Sequence, residues 1–156
     1  MQLKSGLYII SSLAALREGS RGLISRNLNE DRSLGPKPIA LQPDGSPNRP
    51  WEVREVDSGK FILSNAGAPT CVLDNKLFAV LLSQPPPEKW VITSRPQAGR
   101  DAYTIETESR GAGWVLSEMQ PFTTVDVRPL IVGPSEPPFF PPFELFSFQQ
   151  VGPLDL

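Results

Sequence analysis

Apolar and polar positions alternate in short runs along this chain, and Gly, Pro, Asn or Asp interrupts them roughly every eight to twelve residues. No stretch sustains the period of an amphipathic helix, and Val, Ile, Tyr, Phe and Trp crowd the runs. The pattern predicts an all-β chain of twelve strands. They are Leu7–Ser11, Gly22–Arg26, Lys37–Gln42, Trp51–Val56, Lys60–Asn65, Thr70–Asp74, Leu77–Ser83, Trp90–Ser94, Ala102–Thr107, Gly113–Ser117, Thr123–Val127 and Phe143–Phe148. So many short strands in one domain imply a closed or nearly closed architecture. The opening stretch, MQLKSGLYIISSLAALREG, reads as the first strand and the loop after it.

A weak internal repeat narrows the architecture. GLYIISS, GKFILSN and DAYTIET each place an aliphatic residue two positions after an aromatic one: Tyr8/Ile10, Phe61/Leu63 and Tyr103/Ile105. Each set leads on to an aromatic strand, WEVREV, WVITSR and FELFSF. One four-strand unit cannot cover its own apolar face, whereas three together close a common core. The expected fold is a β-trefoil, a six-stranded barrel capped by three hairpins, with repeats at about 1–57, 58–98 and 99–156 in a single domain 1–156. Trp51, Trp90 and Phe146 then take equivalent core positions. A β-sandwich is the alternative.

Charge and residue counts remove whole classes of function. The net charge is −2 with the 15 Lys and Arg scattered, so no basic stripe marks a nucleic-acid partner. No apolar run is long enough for a membrane helix. Ser11, Ser12, Arg17 and Glu18 interrupt the only stretch resembling a signal sequence, which points to the cytoplasm. The single cysteine, Cys71, permits no intrachain disulfide and reads as a small buried strand residue. The chain contains no histidine, which excludes Ser–His and Cys–His nucleophile pairs and, with one cysteine, a structural zinc site. No catalytic residue, metal ligand or cofactor is expected, and the chain is expected to be a monomer rather than an enzyme.

Carboxylates are the remaining catalytic candidates. Glu30/Asp31, Asp44, Glu106/Glu108 and Glu136 are available, but adjacent acids such as Glu30 and Asp31 point to opposite sides of an extended chain and read as solvated. The repeats lack the Gln-x-Trp signature of ricin-type trefoil lectins, although a lectin stays open as an alternative. Proline is abundant, at 18 residues, and concentrates in PPP (85–87) and GPSEPPFFPPF (133–143), which must therefore lie outside central strands and read as rigid loops rather than PxxP ligands.

The stretch most suited to binding is RNLNEDRSLGPK, residues 26–37, between the second and third strands. Loops carry function when a β framework fixes them. Asn27, Asn29 and Asp31 are suited to bonding nearby backbone, and Pro36 and Pro38 restrict the exit.

GLYII, RNLNEDRSLGPKPI, NAGAPTCVLD, RGAGWV and VRPLIVGPSEPPFFPPFELF together resemble the mushroom β-trefoil serine protease inhibitors, the mycospins, over nearly the whole chain from Gly6 to about Phe148. The resemblance implies a protein of fungal defence or protease regulation that inhibits trypsin-like serine proteases through one substrate-like loop. It implies Asn27 as the primary specificity residue, within a reactive loop that includes Ser25, Arg26, Leu28, Asn29 and Glu30. Arg26 and Arg32 are the pocket groups that a preference for cations would select instead. In other members a lysine between the eleventh and twelfth strands does this work; here that loop, IVGPSEPPFFPPF, carries only Glu136, which a trypsin pocket would repel. The related mycocypin inhibitors of cysteine proteases are a further alternative, for which SNAGAP (64–69) is the candidate loop.

Overall fold

The computed structural model describes residues 3–133 and 139–154. Twelve antiparallel strands run in chain order: β1 (Gly6–Ser12), β2 (Ile24–Arg26), β3 (Lys37–Leu41), β4 (Trp51–Asp57), β5 (Lys60–Asn65), β6 (Ala68–Leu73), β7 (Lys76–Ala79), β8 (Trp90–Ser94), β9 (Ala102–Glu106), β10 (Gly113–Val115), β11 (Asp126–Arg128) and β12 (Phe146–Gly152).

Their pairings close a ring. β1 pairs with β4, β4 with β5, β5 with β8, β8 with β9, β9 with β12, and β12 returns to β1. The other six strands form the hairpins β2–β3, β6–β7 and β10–β11. β3 pairs with β7, β7 with β11, and Ala40 bridges to Thr124, so the hairpins join edge to edge as a triangular cap. A six-stranded barrel under a three-hairpin cap is the β-trefoil, and ring closure leaves the barrel no free edge.

The core follows from strand alternation. In β5 the inward positions are Phe61, Leu63 and Asn65, all fully buried, so period two puts an asparagine where an apolar residue would normally stand. Trp51, Trp90 and Phe146 begin β4, β8 and β12, and each packs against Trp114 of β10, with ring centroids 5.5, 5.7 and 5.6 Å away. Trp114 is the central plug of the barrel. Cys71 lies buried in β6, where burial raises its thiol pKa.

Some elements depart from the sequence expectation. A short helix, α1 (Leu13–Arg17), replaces the loop expected after the first strand; Ser12 caps it, its Oγ accepting from the Ala15 N–H at 3.4 Å, while Ala14 and Ala15 are buried. β2 starts at Ile24 rather than Gly22, because Gly22 has φ +63° and a Cβ there would lie 2.8 Å from the Ser12 carbonyl oxygen. β7 ends at Ala79 rather than Ser83: the Val80 N–H still donates to the Pro69 carbonyl in register, but Pro69 has no N–H to return the bond. β12 starts at Phe146 rather than Phe143, because Pro142–Glu144 form a 3₁₀ turn.

Candidate functional site

Between the end of β2 at Arg26 and the start of β3 at Lys37 lies a connection of ten residues. The Arg26 N–H, on the side of β2 away from β3, donates to Asn65 Oδ1 at 2.9 Å. On the same side, the Trp51 indole N–H donates to the Ile24 carbonyl at 2.7 Å. The stem of the loop is thus bonded to the barrel as well as to its own hairpin.

Two long polar side chains hold the carbonyls of the loop entrance. Arg49 Nη1 donates to the carbonyls of Arg26 and Asn27 at 3.3 and 3.0 Å. Gln42 Nε2 lies within 3.1 Å of the Ser25 and Ala40 carbonyls and within 3.0 Å of Asn27 Oδ1. Asn65 Nδ2 in turn donates to the Arg49 carbonyl at 3.2 Å. Buried polar groups require such partners, and here the partners determine where the loop leaves the sheet.

Two ion pairs lie within the loop. Arg26 is 8% exposed; its Nε and Nη2 grip the Glu30 carboxylate at 3.0 and 2.7 Å, and its Nη1 donates to the Asn65 and Ala66 carbonyls at 3.3 and 3.2 Å. Such a two-pronged guanidinium–carboxylate contact fixes geometry as well as charge. Further on, Lys37, 4% exposed, donates to Asp31 Oδ1 at 2.5 Å and to the Asp31 carbonyl at 3.1 Å. Asp31 Oδ1 also accepts from the Ser33 N–H and hydroxyl. The Lys37 hydrogen bond, then those of Ser33, lower the Asp31 pKa to about 2.

Glu30 and Asp31 do point to opposite partners, but neither is merely solvated: one is paired with Arg26 and the other with Lys37. Of the residues named from sequence, Ser25 and Arg26 are buried, Asn27 and Glu30 are half-buried, and Leu28 and Asn29 are exposed, Leu28 by 61%. Asp31 bonds nearby backbone as expected, whereas Asn27 bonds the Gln42 side chain and Asn29 makes no hydrogen bond among the described residues. Arg32 is exposed. The supporting roles of Gln42, Arg49, Asn65 and Lys37 escaped the sequence reading, although Asn65 and Lys37 lie in the stretches it quoted; the one available signal was Asn65 at an inward position of an apolar strand.

The other candidate loops differ. SNAGAP is the tight β5–β6 turn, with Ala66 and Gly67 at φ +50° and +81°, and it lies against the Arg26 guanidinium. In the loop before β12, the Gly133 N–H meets the Phe139 carbonyl at 2.7 Å and Glu144 Oε2 accepts from the Ile131 N–H at 2.6 Å; Glu136 lies outside the described residues. Among the described residues, no three acidic or cysteine side chains converge as a metal site would require.

Comparison with known proteins agrees with this architecture. A family profile described as peptidase inhibitor I66 matches residues 1–150. A protein named "Serine protease inhibitor" from Lentinula edodes is 40% identical over 146 residues, covering 93% of this chain and 96% of its own. The structure of a proteinase inhibitor from Coprinopsis cinerea, cospin, is 39% identical with a TM-score of 0.85, over 96% of this chain and all of the other. A ricin B-like lectin from Macrolepiota procera, solved with lactose, has a TM-score of 0.66 at 19% identity, over 97% of this chain and all of its own, and shares the fold alone.

Proposed function

The chain belongs to the peptidase inhibitor I66 family, and on that premise we propose that it inhibits trypsin-like serine proteases by presenting the β2–β3 loop to their active-site cleft as a substrate would lie. One inhibitor chain serves one protease, and the inhibitor itself performs no catalysis. The observation that carries this reading is the contrast within the loop. Its stem is held by buried Asn65, Gln42 and Arg26, while Leu28 and Asn29 stand free in solvent. Binding a peptide that is already ordered avoids much of the entropy lost on docking.

Asn27 is the residue proposed for the specificity pocket. The Arg26 guanidinium is already committed to Glu30, Asn65 and Ala66, so it supports the loop rather than entering the pocket. The Asn27 Nδ2 has no partner among the described residues, leaving a donor for the carboxylate of a trypsin pocket. Docking exchanges the Gln42 bond to Asn27 Oδ1 for that contact. The peptide carbonyl at the cut then faces the oxyanion hole, as in any acyl transfer to a protease serine.

A second reading rests on one observation. Leu28 is the first exposed side chain of the loop, whereas the Asn27 carbonyl and side chain are both bonded to the scaffold. Leu28 would suit an apolar pocket of the chymotrypsin type. Incubation with trypsin, chymotrypsin or papain, followed by sequencing of any new amino terminus, separates the readings. A terminus at Leu28 with trypsin inhibited supports Asn27 in the pocket, and one at Asn29 with chymotrypsin inhibited supports Leu28. Inhibition of papain alone overturns both.

A further inference from the structure

Tight substrate-like inhibitors usually tie the two sides of their reactive bond together covalently, yet this chain has a single cysteine, which is free. Some other device must keep the newly formed ends together once the protease cuts. On the amino-terminal side, Asn65, Gln42 and Arg49 bond Arg26 and Asn27 to the barrel and cap. On the carboxy-terminal side, Leu28 and Asn29 are exposed and make no hydrogen bond among the described residues. The first residue there to be held is Glu30, and Arg26 holds it.

We infer that the Arg26–Glu30 ion pair is the clasp of this loop: it spans the reactive bond and holds the leaving amine beside the acyl group, so that cleavage reverses instead of releasing the protease. The inference rests on the inhibitory role proposed for the loop but not on the choice between Asn27 and Leu28, because the pair spans every peptide bond from 26 to 30.

The chemistry it protects is balanced. The protease serine oxygen bonds to the carbonyl carbon, the C–N bond breaks, and the proton lost by the serine goes to the leaving amine. If that amine stays within reach, it attacks the ester, the serine recovers its proton, and the intact inhibitor is restored. If it drifts, water takes its place and the loop is cut for good. Reversal therefore depends on the effective concentration of the amine, which a short non-covalent tether sets. Three features fit the pair to hold that amine close. The two side chains are only 10% and 15% exposed, the contact is two-pronged, and Arg26 is braced against the β5–β6 turn by two carbonyls. The second ion pair of the loop is a natural comparison, since Asp31 and Lys37 both lie on the same side of the cut and their bond does not cross it.

The test incubates trypsin or chymotrypsin, whichever the wild type inhibits, with a small excess of wild type, Glu30→Gln or Asp31→Asn. Returning protease activity is followed over hours, with the cut site mapped and the melting midpoint of each variant recorded. Expected is prompt inhibition by all three at first. Glu30→Gln then releases active protease about tenfold sooner or more, cut once between residues 26 and 30, with its melting midpoint showing a folded chain. Asp31→Asn holds the protease as long as wild type. A Glu30→Gln inhibitor that lasts as long as wild type overturns the clasp, and so does an equal loss in Asp31→Asn, which would mean that general softening of the loop is the cause. If wild type inhibits neither protease, the inhibitory reading itself falls and takes the clasp with it.

Discussion

Asn65 and Arg26 stand 39 positions apart in sequence, yet the Asn65 side-chain oxygen accepts the Arg26 backbone N–H at 2.9 Å inside the protein. Through the same amide, Asn65 Nδ2 donates to the Arg49 carbonyl, and Arg49 holds the carbonyls of Arg26 and Asn27. One fully buried asparagine on the barrel therefore positions the loop proposed to meet a protease.

Asn65→Ala is expected to weaken both fold and inhibition. It orphans the buried Arg26 N–H and removes the partner of the half-buried Arg49 carbonyl, at a cost of about 1–3 kcal/mol. Urea denaturation measures the stability change, and a protease titration of the folded variant measures the loss of affinity. An Asn65→Ala protein with wild-type stability and inhibition would remove the asparagine from the account.

The Asp31 carboxylate makes the loop acid-sensitive. Its pKa is lowered from 3.8 to about 2 in the folded chain, chiefly by the Lys37 hydrogen bond. A carboxyl group with a depressed folded pKa contributes stability that is fully present above its unfolded value and lost as pH falls through the folded one. The window is thus from about pH 4 down to about pH 2. The melting midpoint of wild type should decline across it more steeply than that of Asp31→Asn. Parallel slopes for the two proteins would contradict this assignment.

Trp114 should dominate stability without touching the loop. It fills the space between Trp51, Trp90 and Phe146, and its removal leaves a cavity that three rings cannot close. Trp114→Ala should cost about 3–5 kcal/mol, and Trp114→Phe clearly less. Guanidinium denaturation of the two variants checks the order, and equal stability of Trp114→Ala and wild type would refute the plug.

The architecture was largely visible in the sequence, because burial in a closed barrel imposes a period of two on its strands. Lys60–Asn65 and Trp90–Ser94 coincide with their predicted strands, and the aromatic positions 51, 90 and 146 were legible as related. Local geometry was less visible. Five residues cannot display a helical period, so α1 escaped, and the ends of β7 and β12 depend on Pro69 in the partner strand and on the 3₁₀ turn at Pro142. The loop itself could be picked out by its asparagines and acids, but its supports could not. Arg49 reaches back over 22 and 23 positions, and Lys37, which reads as a strand-end surface cation, is buried against Asp31. Such partners are set by the folded neighbourhood, not by spacing along the chain.

The most direct test is a stoichiometric titration of trypsin and of chymotrypsin with wild type and with the double variant Asn27→Ala, Leu28→Ala, whose melting midpoint is measured alongside. Leu28 is exposed, and Asn27→Ala removes the Gln42 bond to its side-chain oxygen while the Arg49 bond to its carbonyl remains, so the melting midpoint checks that the framework holds. The account predicts tight, one-to-one inhibition by wild type of at least one of the two enzymes. The folded double variant should bind that enzyme more weakly by about 2 kcal/mol or more, as loss of a central interface residue does. A folded double variant that titrates the protease as tightly as wild type would place the inhibitory site elsewhere on the molecule.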